Sequence, residues 1–291
     1  MIHLQGGATP LDELTRINSD DLLVSLGLGE VRRGRALLER LCRRPARRLA
    51  RQVLTYDALV ASAGLQVGAA WALGQYVRRV AVDGQDTLPR AGPLLIVSNH
   101  PGLYDTIALF AAIPRCDLRI VAADRPFLRA LANTSRHLLT VGEAASERVG
   151  VIRASARHLR SGGALLTFPG GRIEPDPAVL PGAVAALGGW SASIAVFARL
   201  VADLTVVPVV VSGVLSAAAL RHPLARLRGP EHHQLLAATL QVLFPSLQRG
   251  TVRVSFGRPL CAAGLPGDAL GEAIVAECAR LMDRRAADER V

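Results

Sequence analysis

His100 and Asp105 stand where an apolar run, Leu94 to Val97, gives way to Ser98-Asn99-His100-Pro101-Gly102 before an apolar-periodic segment resumes at Tyr104. A neutral imidazole takes a proton from a hydroxyl, and a carboxylate on its other nitrogen fixes the tautomer and stabilises the imidazolium as it forms. On one unbroken helix, residues five apart would point about 140° away from each other at roughly 100° per residue, so the pair cannot form that way. Pro101-Gly102 supplies the turn that leaves His100 at a strand end and brings Asp105, on the first turn of a helix, back beneath the ring. The spacing alone is a weak motif, because His and Asp recur five apart by chance; its place at a strand-to-helix junction gives it weight.

The second stretch with chemical capacity is Phe168-Pro169-Gly170-Gly171-Arg172. A strand that stops at Pro-Gly-Gly exposes backbone N–H groups without side-chain obstruction, which suits an oxyanion or a phosphate, and Arg172 adds a fixed charge. The same residues also read as an ordinary tight turn. Other chemistries find less support. The chain has no Lys, which excludes a lysine Schiff base and a P-loop lysine, and it has no Gly-x-Ser-x-Gly elbow, HExxH or dinucleotide fingerprint. Cys42, Cys116, Cys261 and Cys278 are scattered without a CxxC spacing, and His232-His233 beside Glu231 has no further residue in ligand spacing. No metal site and no disulfide framework is expected. His137, His158 and His222 read as surface or packing residues.

These two stretches need a scaffold, and the hydrophobic periodicity supplies it. Strands are expected over 77–82, 94–97, 116–122, 164–168, 204–211 and 251–256, with helices over 149–159 and 268–283. Leu270, Ile274, Val275, Cys278, Leu281 and Met282 form the buried side of the last helix. Strands alternating with helices imply an α/β sandwich, a mixed sheet between helices. Residues 1–76 and 77–291 divide the chain into an N-terminal segment and the α/β domain with its C-terminal helix. Met1 to about Gly29 reads as a loose polar segment with one short helix, without the basic-then-apolar order of a secretory signal. Glu30 to Val53 interleaves nine arginines with leucines at helical spacing, a pattern that fits either seating on an anionic membrane or a solvated face packed through its leucines. Pro45 is expected to kink or divide that helix. Ala58 to Val77 carries no charge and reads as a helix hairpin partly immersed in one leaflet, a buried helix, or a span; Gln66, Gln75 and three glycines count against the span.

The chain has 291 residues, 50% hydrophobic and 20% charged, with a net charge of +10, enough core for one large or two small globular domains. An all-Arg surface attracts phosphate, whether on nucleic acid, anionic lipid or a phosphorylated cofactor. Aromatics at 4% give base stacking little material, and no nucleic-acid recognition fold accompanies the charge.

Taken in order, Gly84, Leu88-Pro89, Gly92-Pro93, the apolar strand, Asn99-His100 with Asp105, Phe168-Pro169 with Gly171, and Val207-Pro208-Val209 resemble the blocks of the phospholipid and glycerol acyltransferase family (PlsC-like) over roughly Val77 to Leu260. The resemblance implies a glycerol-phosphate acyltransferase-like fold with N-terminal membrane-seating helices. It implies transfer of a fatty acyl group from acyl-CoA or acyl carrier protein to a hydroxyl of a lysophospholipid or related glycerolipid, at the cytoplasmic face of a membrane, with no cofactor beyond the thioester co-substrate. His100 is then the general base and Asp105 its orienting carboxylate. Asn99, Phe168, Pro169, Gly170, Gly171, Arg172, Val207 and Pro208 are the implied substrate-binding residues, and oxyanion donors are sought in nearby backbone amides. Three departures stand out. The family's third block commonly reads Phe-Pro-Glu-Gly-Thr-Arg, whereas here Gly170 takes the Glu place, Arg172 the Thr place and Ile173 the Arg place, with Glu174 as a replacement carboxylate. The Ile-Asp-Arg ending of the second block is not recognisable, leaving Arg136 and Arg148 as candidate cations. Gly102 stands where the family usually has Ser. The eroded blocks keep open a non-catalytic lipid-binding or scaffold protein that retains the fold.

Overall fold

The computed structural model describes residues 9–102, 104–142, 144–191, 193–247, 250–263 and 267–288. Three helices come first, α1 Pro10–Ser25, α2 Arg35–Ala63 and α3 Leu65–Gly74. The alternating part follows as β1 Arg79–Asp83, β2 Leu94–Ser98, α4 Asp105–Ala112, β3 Arg119–Ala123, α5 Pro126–Arg129, β4 Leu138–Val141, α6 Ala145–Arg160, β5 Ala164–Thr167, α7 Ala183–Ala186, α8 Ser193–Leu200 and β6 Thr205–Ser212. The remainder is α9 Ala217–Arg221, α10 Pro230–Leu243, β7 Thr251–Phe256, β8 Leu260–Cys261 and α11 Gly267–Asp288.

The strands form one mixed sheet in the order β1-β7-β6-β2-β5-β3-β4, with β8 also on β6; β7 and β8 run antiparallel to β6, and the other pairs are parallel. β2 lies at the centre between β5 and β6, which is why its run is apolar without alternation. Its side chains divide between two cores. Leu94 and Ile96 pack with Val53, Tyr56 and Val60 of α2, Leu109 of α4 and Leu236 of α10, while Leu95 and Val97 pack with Leu159 of α6, Phe197 of α8 and Ile274 of α11. This is the expected α/β sandwich, and the N-terminal helices contribute to one of its two cores.

Two expectations about the N-terminal region are corrected. The segment before residue 29 carries a 16-residue helix, capped by Thr9 through the Asp12 N–H and started by Pro10, with Leu14, Ile17, Leu22 and Leu23 buried. Pro45 does not divide α2. Cys42 and Ala46 pack on Leu22 and Leu23 of α1 on either side of the proline, and Asn18 Nδ2 donates to Ala46 O at 3.2 Å, so tertiary contact holds the helix through the lost backbone bond. The uncharged stretch 58–77 is broken at Gly64 between the end of α2 and α3, the two-helix arrangement of the hairpin reading rather than one continuous helix. Gly68 sits where a Cβ would meet Val60 Cγ2 at 2.8 Å, so its lack of a side chain lets α3 fold tightly back on α2. Gln66 reaches from α3 to Ile113 O just beyond α4. Among the described residues no single helix is long and apolar enough to cross a membrane.

At the end of the sheet away from the His100 turn, Arg115 gathers three loops. Its guanidinium, 3% exposed, donates to Pro89 O, Gly92 O and Gly162 O at 2.7–3.2 Å and pairs with Asp117 at 2.7 Å. Replacing it with leucine strands those carbonyls without a donor. Arg115→Leu is expected to lower unfolding stability by about 3 kcal/mol, read as a reduced urea midpoint with an unchanged denaturant slope; an unchanged midpoint would show that the carbonyls are solvated instead.

Candidate active site

The site is assembled at the end of β2. Asn99 is buried, and its amide extends the sheet by side chain: Nδ2 donates to Val211 O at 2.9 Å and Oδ1 accepts the Val211 N–H at 2.8 Å. That pairing holds the chain as it leaves the strand. Gly102 then turns it with φ +90°, a left-handed value that serine would adopt only under strain, which accounts for glycine at this place. α4 begins at Asp105, where aligned peptide dipoles favour a negative charge.

His100 Nδ1 lies 2.7 Å from Asp105 Oδ2, and because the carboxylate can only accept, Nδ1 carries the proton. The same oxygen accepts the Gly102 N–H at 2.7 Å, while Oδ1 accepts the Thr106 N–H and, at 3.0 Å, its hydroxyl. Asp105 is 1% exposed and fully bonded, a fixed support. The imidazole stacks on Phe168, centroids 4.3 Å apart and planes 19° from parallel, and no described protein group occupies Nε2. Burial pulls the pKa of His100 down, but the hydrogen bond and charge of Asp105, with the charge of Glu174, outweigh it and leave the imidazole above its ordinary value of 6.5.

His100 faces a cavity of about 1240 Å³. Leu49, Val53 and Tyr56 of α2, with Ile107 and Phe110 of α4 and Leu131, give it an apolar wall; Arg125, Arg129, Arg148 and Arg172 give it cations, Arg129 being paired with Asp124. Tyr76, beyond α3, stacks on Tyr104 at 4.7 Å and donates to Gln52 Oε1 at 2.8 Å, tying the N-terminal helices to the residue before Asp105. Burial pushes Tyr56 and Tyr76 up to about 12, so both stay neutral phenols.

Of the residues expected at the site, His100, Phe168, Gly171 and Arg172 reach the cavity wall. Asn99, Pro169, Gly170, Val207 and Pro208 do not. Val207 and Pro208 are buried in β6, with Pro208 at the changeover between β7, which pairs residues 209–212, and β8, which pairs Thr205 and Val206, so the ladder on that edge is already interrupted. They support the sheet, and Asn99 positions His100. Arg148 lines the cavity, whereas Arg136 does not. The two obvious amides are already engaged, Gly102 N–H by Asp105 and Gly171 N–H by Phe168 O at 3.1 Å. Arg125 was not singled out by its sequence context; its position directly after an edge-side strand was the available signal.

A buried carboxylate holding an imidazole at a strand end, above a cavity of this size, has the geometry that a general base requires. Residues 79–212, from the first residue of β1 to the last of β6, match the model of the Acyltransferase family. Among solved structures, the chain is similar to the 1-acyl-sn-glycerophosphate acyltransferase PlsC of Thermotoga maritima, with 14% identity, a TM-score of 0.48, and 96% of this chain and 95% of that one covered. No curated protein matches the chain.

Proposed function

We propose that this chain transfers a fatty acyl group from an acyl thioester to a hydroxyl of a lysophospholipid or related glycerolipid, with His100 as general base. The observation that carries this reading is the His100–Asp105 pair opening onto a cavity that joins an apolar wall to four arginines. At about 1240 Å³ it exceeds the roughly 300–1,000 Å³ usual for a single small ligand and has room for a chain and an acceptor together. Nε2 takes the acceptor's hydroxyl proton as that oxygen attacks the thioester carbonyl carbon. The C–S bond breaks, and the departing sulfur takes the proton back from Nε2, leaving an ester and a free thiol. Arg125, Arg148 and Arg172 suit a phosphate, on the acceptor or on the CoA donor. The test is ester formation from palmitoyl-CoA or palmitoyl carrier protein with lysophospholipids, glycerol phosphate and neutral lipid alcohols.

Seating on an anionic membrane belongs to the same reading. Leu37 and Leu41 on α2 are 63% and 66% exposed, Phe244 after α10 is 46% exposed, and Arg40, Arg43 and Arg44 are exposed around them. Apolar side chains ringed by cations fit the headgroup boundary of an anionic leaflet. The protein is expected to sediment with vesicles containing phosphatidylglycerol and not with pure phosphatidylcholine, and a Leu37→Asp, Leu41→Asp variant is expected to lose about tenfold in binding. Equal binding of the two vesicle types, or an unaffected variant, would remove this face from the account.

A further inference from the structure

Glu174 is 3% exposed and meets His100 on both sides of the backbone. Its Oε2 accepts the His100 N–H at 2.8 Å, and its own N–H donates to His100 O at 2.8 Å. Its Oε1 accepts the Trp190 indole N–H at 2.7 Å. Gln234 Nε2, from α10, donates to Glu174 O at 2.8 Å and Pro101 O at 3.1 Å, closing the loop on itself. Both partners of the carboxylate are N–H donors, so a glutamine here would face one of them with its own NH2. The carboxylate also fills the space beside Gly170, where a Cβ would lie 2.8 Å from Oε1 and 3.0 Å from Cδ. A glutamate at position 170 would carry its carboxyl carbon about 2.5 Å from that Cβ at ordinary bond lengths, close to where the Glu174 carboxyl now sits.

We propose that Glu174 is a positioning residue for His100, and that Gly170 and Glu174 form one exchangeable unit in which the carboxylate reaches the His100 backbone from position 174 because position 170 is empty. The Phe168–Glu174 loop thereby fixes the base by its main chain, while Asp105 fixes it by its ring. This rests on His100 being the base of the proposed transfer. Because Glu174 adds negative charge beside the imidazole, its loss also lowers the pH at which His100 titrates.

The experiment compares wild type, Glu174→Gln, Glu174→Ala, Gly170→Glu/Glu174→Ala and Trp190→Phe in kcat, KM and the His100 imidazole titration by NMR, with thermal unfolding as the folding control. Glu174→Gln is expected to lose about 10- to 100-fold in kcat with little change in KM, as a misplaced base does, and to move the His100 titration to lower pH. The relocated carboxylate is expected to recover most of the loss of Glu174→Ala, and Trp190→Phe to lose several-fold. Should Glu174→Ala fail to fold, Glu174→Gln and Trp190→Phe carry the test. Unchanged kcat and an unmoved titration in Glu174→Gln would overturn the proposal, as would a relocated variant that folds no less well than Glu174→Ala and is no more active. The titration needs no turnover, so it still reads the Glu174–His100 coupling if the acyl-transfer reading itself fails.

Discussion

His100→Ala is expected to lose about 10²- to 10⁴-fold in kcat, the range that general-base catalysis contributes, while remaining folded. Nε2 is the ring atom left open to the cavity, and removing it leaves the acceptor hydroxyl, a poor nucleophile at neutral pH, without the one imidazole among the described residues that line the cavity; of the lining carboxylates, Asp124 is held by Arg129 and Glu147 accepts the Ala144 N–H. The structural cost is small. The ring is 27% exposed, and its main apolar contact is the Phe168 stack, worth about 1 kcal/mol. Asp105 keeps its bonds from Gly102 and Thr106. Parallel steady-state kinetics and thermal unfolding separate the two effects: a folded variant with wild-type turnover would show that the imidazole is not the base.

Asp105→Asn is expected to approach that loss for a different reason. One carboxylate oxygen receives His100 Nδ1–H and Gly102 N–H, the other receives both donors of Thr106, and an asparagine offers one acceptor face and one donor face. If the NH2 turns to His100, it selects the tautomer protonated on Nε2, which cannot accept the hydroxyl proton; if it turns to Thr106, two donors there lose their acceptor. A fall of about 10²- to 10⁴-fold in kcat follows from the first arrangement. The pH dependence gives an independent check. The base acts when neutral, so wild-type kcat/KM rises with pH through the raised pKa of His100, above 6.5. Burial lowers that pKa, while the bond and charge of Asp105 are the main influences raising it, so in Asp105→Asn the acid limb of the residual activity moves to lower pH. An acid limb that stays in place would mean another group is titrating.

The scaffold of the site was legible in the sequence wherever local pattern and burial agree. Leu94 to Val97 is apolar throughout because β2 is central and buried on both faces, and Thr251 to Phe256 alternates because the strand buries Val252, Val254 and Phe256. The turn between His100 and Asp105 was legible because Pro and Gly punctuate it, and the bonds that Asp105 accepts from His100, Gly102 and Thr106 span no more than five residues. What was not legible depends on distant partners. Asn99 looks like a site residue beside His100, yet its amide pairs with Val211, 112 positions away. Val207 and Pro208 fall in the expected block, but their burial in β6 follows from the register with β2. The roles of Trp190 and Gln234 arise only when two loops and α10 meet at Glu174. Helix α2 runs through Pro45 because α1 packs on both sides of it, and no propensity of the local sequence records that.

The proposed reaction joins an acyl thioester to a hydroxyl in the cavity at His100. The most direct measurement is product analysis by mass spectrometry after incubating the purified protein with palmitoyl-CoA or palmitoyl carrier protein and each lipid acceptor. An ester product that requires both thioester and acceptor, released with one equivalent of free thiol and absent with His100→Ala, is the predicted result. Folded protein that binds the thioester or the lipid and forms no ester with any pair would contradict it and leave a lipid-binding protein on an acyltransferase fold.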